Sequence, residues 1–163
     1  MAALKQLVEG LGLHDVSSLL QSGNLIFESR QHGTADLERV LQRETEERLS
    51  VRTEYFVRDA NAMAKVIKDN PFTKEAVADP GRLVVFFLRE SPKLQSVKNL
   101  QAQIKGPEIV GPGNLHLYIT YPEGQGRSKL TNAVIEKALA TRGTARNWNT
   151  ILKVQSALSQ PVG

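Results

Sequence analysis

The sequence has no cysteine, which excludes disulfide frameworks, thiolate metal sites, redox pairs and cysteine nucleophiles, and fits a cytoplasmic protein. Aromatic residues make up only 6% of the chain and tryptophan occurs once, so no aromatic run of the kind that stacks RNA bases is present. No aspartate follows Asp79, and His14, His32 and His116 are scattered without metal-like spacing. A carboxylate-held metal centre in the second half is therefore not expected, and neither a metal nor a cofactor is predicted. No apolar run approaches the roughly 20 residues of a membrane span. The start, "MAALKQLVEGLG", has amphipathic spacing and an acidic residue where a signal peptide is uniformly apolar. A soluble, unprocessed chain with no membrane partner is expected.

What is present is charge, unevenly spread. Residues 1–80 carry 10 Lys and Arg against 13 Asp and Glu, net −3, and residues 81–163 carry 11 against 4, net +7. A basic half attracts phosphates, nucleic acid or acidic partners through long-range Coulomb forces, and the same excess also serves solubility. With 163 residues the chain can form one domain or two small α/β units with enough buried apolar surface to need no staple.

Periodicity divides the chain into two similar halves. Residues 2–9 read as a helix with Leu4, Leu7, Val8 and Leu11 on one side. A hairpin follows, "VSSLLQ" and "LIFES" joined by Ser22, Gly23 and Asn24. A helix from about Thr34 places Leu37, Val40, Leu41 and Leu49 on one face, and "VRTEYFV" alternates as a half-buried strand. A short helix over 60–68 leads to "NPF" and the turn "DPG", where the halves are expected to meet. "LVVFFL", residues 83–88, is apolar on both faces and predicts a central strand, with a helix after Ser91 and Pro92. Past the glycine and proline punctuation of "KGPEIVGPGN", a strand turns Leu115, Leu117, Ile119 and Tyr121 one way and His116, Tyr118 and Thr120 toward a polar face. A helix from Ser128 to about Ala140 is expected to bury Leu130, Val134, Ile135 and Ala138. A final helix starting near Thr144 carries Trp148, Ile151, Val154 and Leu158 as a buried stripe.

These elements predict an α+β protein of two ferredoxin-like β-α-β-β-α units in tandem, residues 1–79 and 80–163, the first missing its leading strand. In a ferredoxin-like sheet that strand lies in the middle, so its loss leaves backbone groups on both neighbours without a ladder.

Four stretches, "QSGNLIF" at 21–27, "NPF" at 70–72, "YPEGQGRSKL" at 121–130 and "TARNWNT" at 144–150, together resemble the successive signatures of the bacterial family catalogued as domain of unknown function 1697. The resemblance runs in order over nearly the whole chain. The family starts earlier, with a strand similar to "YIALLRGINVGG" ahead of the helix that begins here at Met1; any function that needs its Arg-Gly-Ile-Asn loop is then not expected of these residues. The resemblance implies a fold and candidate positions, and no activity.

Among those positions, Gly124, Gly126, Arg127, Ser128 and Lys129 lie between a predicted strand and a predicted helix. Glycines allow a tight turn, N–H groups at a helix N-terminus favour an anion, and the two basic side chains add full charges. The stretch is neither a Walker loop nor a dinucleotide-binding loop. Its plainer reading is a β-to-α turn capped by Ser128. Arg146 and Asn147 join the candidate set because Arg127, Lys129, Lys137, Arg142, Arg146 and Lys153 against Glu123 and Glu136 make the densest basic region. Trp148 is expected to be a core anchor. Gln21, Ser22 and Asn24 are secondary candidates that a hairpin turn explains equally well.

Three functions compete: a binding module for a nucleotide, nucleic acid or other phosphate-bearing ligand, an enzyme on a small phosphorylated substrate with part of its site on the missing N-terminal loop, and a structural or interaction protein. The sequence sets neither the ligand, nor whether a reaction is catalysed, nor the oligomeric state.

Overall fold

The computed structural model describes residues 2–19, 23–29 and 33–159. They form an α+β protein of two compact units, residues 1–60 with 154–163, and residues 61–153. This division falls earlier than the 79/80 boundary expected from the "DPG" turn, because the helix after residue 60 packs with the second sheet.

The first unit begins with α1 (Ala2–Gly10), followed by the hairpin of β1 (His14–Leu19) and β2 (Asn24–Glu28) and by α2 (Thr34–Leu49). β1 and β2 pair antiparallel, with Ser17 opposite Ile26 and a register shift between His14 and Ser17. Leu7, Val8, Leu13, Val16, Leu37 and Leu41 form the core, and Leu25, Phe27, Tyr55 and Val57 pack against it half-buried. The strand expected over 51–57 is not formed: these residues belong to no ladder. Their chain instead follows α2 through side-chain bonds. Arg52 Nε reaches Glu46 at 2.9 Å, Tyr55 Oη lies 2.7 Å from Thr45 Oγ1, and the Val57 amide donates to Glu38 Oε2 at 2.8 Å.

The second unit holds α3 (Ala60–Lys68), α4 (Thr73–Ala78), β3 (Leu83–Leu88), α5 (Leu94–Gln103), β4 (Ile109–Pro112), β5 (His116–Thr120), α6 (Asn132–Leu139), β6 (Gly143–Asn147) and the start of α7 (Trp148–Leu158). The sheet order is β4-β5-β3-β6. β3 is antiparallel to both neighbours, with Val85 opposite Tyr118 on one side and Arg146 on the other. This is a full β-α-β-β-α-β unit. The expected β-α-β-β-α order contained β4 without locating it, and β6 had not been expected. β4 sits within the glycine and proline punctuation, where an edge strand tolerates Pro112. β6 occupies residues that were predicted to open the last helix.

One sheet face, Val84, Phe86, Leu88, Val110, Leu117 and Ile119, packs on Val97, Leu100, Ile135 and Leu139 of α5 and α6. The other face was expected to be polar, yet His116, Tyr118 and Thr120 are buried. Tyr118 Oη donates to the Val66 carbonyl of α3 at 2.7 Å, and the His116 ring stands edge-on to Tyr118 at 4.8 Å. α3 covers this face, which is why an alternating strand lost its wet side. Burial pushes the Tyr118 phenol up to about 12, with Asp69 adding to the shift. Val134, expected in the core, is 42% exposed, because α6 buries the stripe of Ile135 and Leu139 and Val134 stands one residue, about 100°, away from it.

Candidate anion-binding loop

Residues 121–131 link β5 to α6. Tyr121, 1% exposed, anchors the loop at both ends: its amide donates to the Arg82 carbonyl at 2.8 Å and its hydroxyl to the Leu130 carbonyl at 2.9 Å. Burial raises the Tyr121 pKa, with the Glu108 carboxylate as the second cause. Arg82 Nη1 also donates to the Pro122 carbonyl. Gly124 takes φ +89°, a conformation that side chains rarely adopt, and a 3-10 turn over Gln125–Arg127 follows.

The helix does not begin at Ser128. Thr131 is the cap, its side chain accepting from the Val134 amide at 3.3 Å, and α6 starts at Asn132. Ser128 instead clasps the loop to the sheet: Oγ donates to Glu108 Oε1 at 2.7 Å and accepts from the Leu130 amide at 3.0 Å. Glu108 is 8% exposed, so a buried carboxylate lies behind the residue predicted to greet an anion. Gly126, Arg127 and Lys129 are exposed and Gly124 is half-buried. The loop thus offers Arg127 and Lys129 to solvent while Ser128 is committed to the fold.

Ladder pairs show which candidates come together. Leu83 pairs with Thr120 and Val84 with Asn147, so the loop after β5 and the end of β6 leave the sheet at the same end. Leu88 pairs with Gly143, which puts Arg142 at the opposite end, beside a shallow depression of about 440 Å3 lined by Ala133, Glu136, Lys137, Ala140, Thr141 and Arg142. Arg142 there lies 3.4 Å from Glu136. The basic region that looks continuous in sequence is divided between two ends of the sheet.

Arg146 and Asn147 have structural work as well. Arg146 Nη1 donates to Thr144 Oγ1 and to the Ala145 carbonyl, each at 2.8 Å, and its half-buried guanidinium has a lowered pKa from burial. Asn147 Oδ1 accepts from the Thr150 amide at 3.0 Å, the bond of an N-cap for α7. Trp148, directly after it, is 4% exposed and is a core residue. Asn24 opens β2 opposite Leu19, whereas Gln21 and Ser22 lie outside the described residues. The "NPF" stretch is a local turn: Asn70 Oδ1 accepts from the Phe72 amide at 2.9 Å, and a Cβ at Gly111 would stand 3.1 Å from Pro71 and 3.4 Å from Phe72.

Glu108 is the residue that sequence reasoning missed. It stands 20 positions before Ser128, and an isolated glutamate in "KGPEIV" carries no periodic signal. Among the described residues no three His, Asp or Glu side chains gather to hold a metal ion, and no helix is long and apolar enough to cross a membrane.

A model of the family described as a protein of unknown function (DUF1697) matches residues 1–118. The chain belongs to the DUF1697 family. The match covers residues 1–60 of the first unit and the second unit into β5, and ends before the loop at Tyr121. No curated protein matches the DUF1697 chain. Among solved structures, the conserved bacterial protein SP0830 of Streptococcus pneumoniae is similar with a TM-score of 0.75 and 21% identity, over 98% of this chain and 88% of that one. At this identity the likeness speaks for the fold.

Proposed function

We propose that the protein binds a phosphate-bearing polymer, a nucleic-acid backbone, along the basic loop of its second unit. The observation that carries this reading is the outward presentation of Arg127 and Lys129 on the loop over 121–131, in a unit with 14 Lys and Arg against 7 Asp and Glu. A small nucleotide gains affinity from enclosure in a concave site. Exposed cations on an open loop suit a polyanion instead, whose affinity comes from release of condensed counterions. The buried Glu108 disfavours an anion pressed deep against Ser128 and leaves the outer rim to Arg127 and Lys129. Cytoplasmic residence, in keeping with the absence of cysteine, would bring the chain into contact with such polymers.

The test is fluorescence anisotropy of a labelled single-stranded oligonucleotide across a salt series. The double variant Arg127→Ala/Lys129→Ala is expected to bind at least about tenfold more weakly, equivalent to about 1.4 kcal/mol. Its slope of log affinity against log salt should be shallower by about 1.4, for two lost phosphate contacts. Unchanged affinity and slope in a variant with unchanged circular dichroism would reject the reading.

A further inference from the structure

We infer that the polymer taken up by the second unit is B-form duplex DNA, held by its two phosphate rows against the outer surface of the α5 and α6 layer. This rests on the nucleic-acid reading above and extends it from one loop to a face. Of the unit's 14 Lys and Arg and 7 Asp and Glu, residues 91–106 and 124–142, which contain the two helices, hold seven and one. The rest of the unit is left with 7 against 6, close to neutral. The single acid of the layer, Glu136, is engaged: its Oε2 accepts from the Gly143 amide at 3.1 Å and stands 3.4 Å from Arg142 Nη1. Lys93, Lys98, Lys105, Arg127, Lys129 and Lys137 are exposed, and among the described residues none of the six is in an ion pair.

Packing sets where these cations stand. α5 and α6 cover one sheet face with Val97, Leu100, Ile135 and Leu139. Lys137 is two residues from both Ile135 and Leu139, about 200° around the helix from each, and so lies opposite the buried stripe. Lys93, Lys98 and Lys105 follow the length of α5, whose ten residues span about 15 Å. Arg127, Lys129 and Lys137 follow the entry and middle of α6, and the Ser128–Glu108 bond at 2.7 Å ties the two entry loops together. Packed helices stand roughly 8–10 Å apart, close to the roughly 12 Å major groove of B-DNA. Two rows of cations therefore meet the two backbones that border one groove, whereas a single strand offers one backbone. The rows match about four base pairs at 3.4 Å each, too short for duplex RNA, which is bound across successive minor grooves over about 16 base pairs. Unstacked bases find no platform here: neither segment contains an aromatic residue, and all nine aromatic side chains of the chain are buried or half-buried. Contacts confined to phosphates carry no base sequence.

The probe is a labelled DNA duplex of about 20 base pairs, compared with one of its strands and with the RNA duplex of the same sequence. Each is titrated with the whole chain by fluorescence anisotropy across a salt series. The DNA duplex is expected to bind at least about tenfold tighter than either competitor at equal salt, and a duplex of unrelated sequence should bind equally. Lys98→Ala/Lys137→Ala, with unchanged circular dichroism, should weaken duplex binding at least about tenfold and make its slope shallower by about 1.8, for two lost contacts. The inference is overturned if the single strand or the RNA duplex binds as tightly as the DNA duplex, or if Lys98→Ala/Lys137→Ala keeps the affinity and slope of the unaltered chain. Either result leaves the Arg127 and Lys129 reading standing as long as Arg127→Ala/Lys129→Ala still weakens single-strand binding; an Arg127→Ala/Lys129→Ala variant without effect on any of the three ligands rejects that reading itself.

Discussion

In the second unit the six residues Leu83–Leu88 are buried on both faces and laddered on both edges. In the first unit β2, with Leu25, Ile26 and Phe27 at its centre, has one ladder among the described residues and half-buried side chains. Over their apolar residues composition does not separate the two strands, although β2 is bounded by Asn24 and Glu28. What separates them is the number of neighbours, since a strand is buried only as far as sheet partners and covering helices close around it. The charge difference follows the same division, −3 against +7. Among the described residues one fold pattern thus carries an acidic unit with a two-stranded sheet and a basic unit with a four-stranded one.

The largest expected effect tests that contrast directly. Phe86→Ala, at a fully buried position, should lower stability by about 3–5 kcal/mol in urea denaturation. Phe27→Ala in half-buried β2 should cost only about 1–2 kcal/mol, and equal losses would break the comparison. Trp148→Ala should also cost about 3–5 kcal/mol, before any loss of ligand binding. A smaller effect is expected at Gly143, where an added Cβ would stand 2.3 Å from Phe86 Cε1 and 2.7 Å from the Phe87 carbonyl oxygen. Gly143→Ala should destabilise by about 1–3 kcal/mol, through overpacking against a backbone that cannot yield.

Smaller still is the loss of single hydroxyls. Tyr118→Phe leaves the Val66 carbonyl without its donor and should cost about 1–2 kcal/mol at neutral pH. Tyr55→Phe, at a half-buried site in the first unit, should cost about 0.5–1 kcal/mol. The phenol also makes stability depend on pH. Tyr118 titrates near 10.0 when unfolded and is raised to about 12 in the fold. Its neutral form is favoured in the native state, so this contribution is complete below about pH 10 and is lost as the pH rises through 12. A chemical-denaturation series from pH 9 to 12 should show the fall, and Tyr118→Phe should flatten it.

Helices α1, α2 and α3 and strand β3 were legible because a sustained apolar period reports a buried face whatever covers it. Three misreadings share another cause: each depended on a partner distant in sequence. "VRTEYFV" alternates like a strand but, among the described residues, bonds to side chains of α2 and is not assigned as a strand. "GTARN" has no apolar alternation, because as an edge strand it needs only Gly143 and Ala145 against Phe86. His116, Tyr118 and Thr120 read as a wet face until α3 closes over them. At the candidate site the loop and its exposed cations were legible from glycines and charge. The Ser128–Glu108 clasp was not, since it joins residues that meet only after β4 and β5 have paired.

β6 passes into α7 with no residue between them: Asn147 ends the strand and Trp148 begins the helix. The chain has no slack at that point. A single residue inserted between them would turn every following helical position by about 100°, swinging Ile151 and its neighbours away from the direction they now face. Tolerance to insertion, a property of the chain's length rather than of its chemistry, should therefore fall to its minimum at this junction and recover in the exposed turn around Gln125.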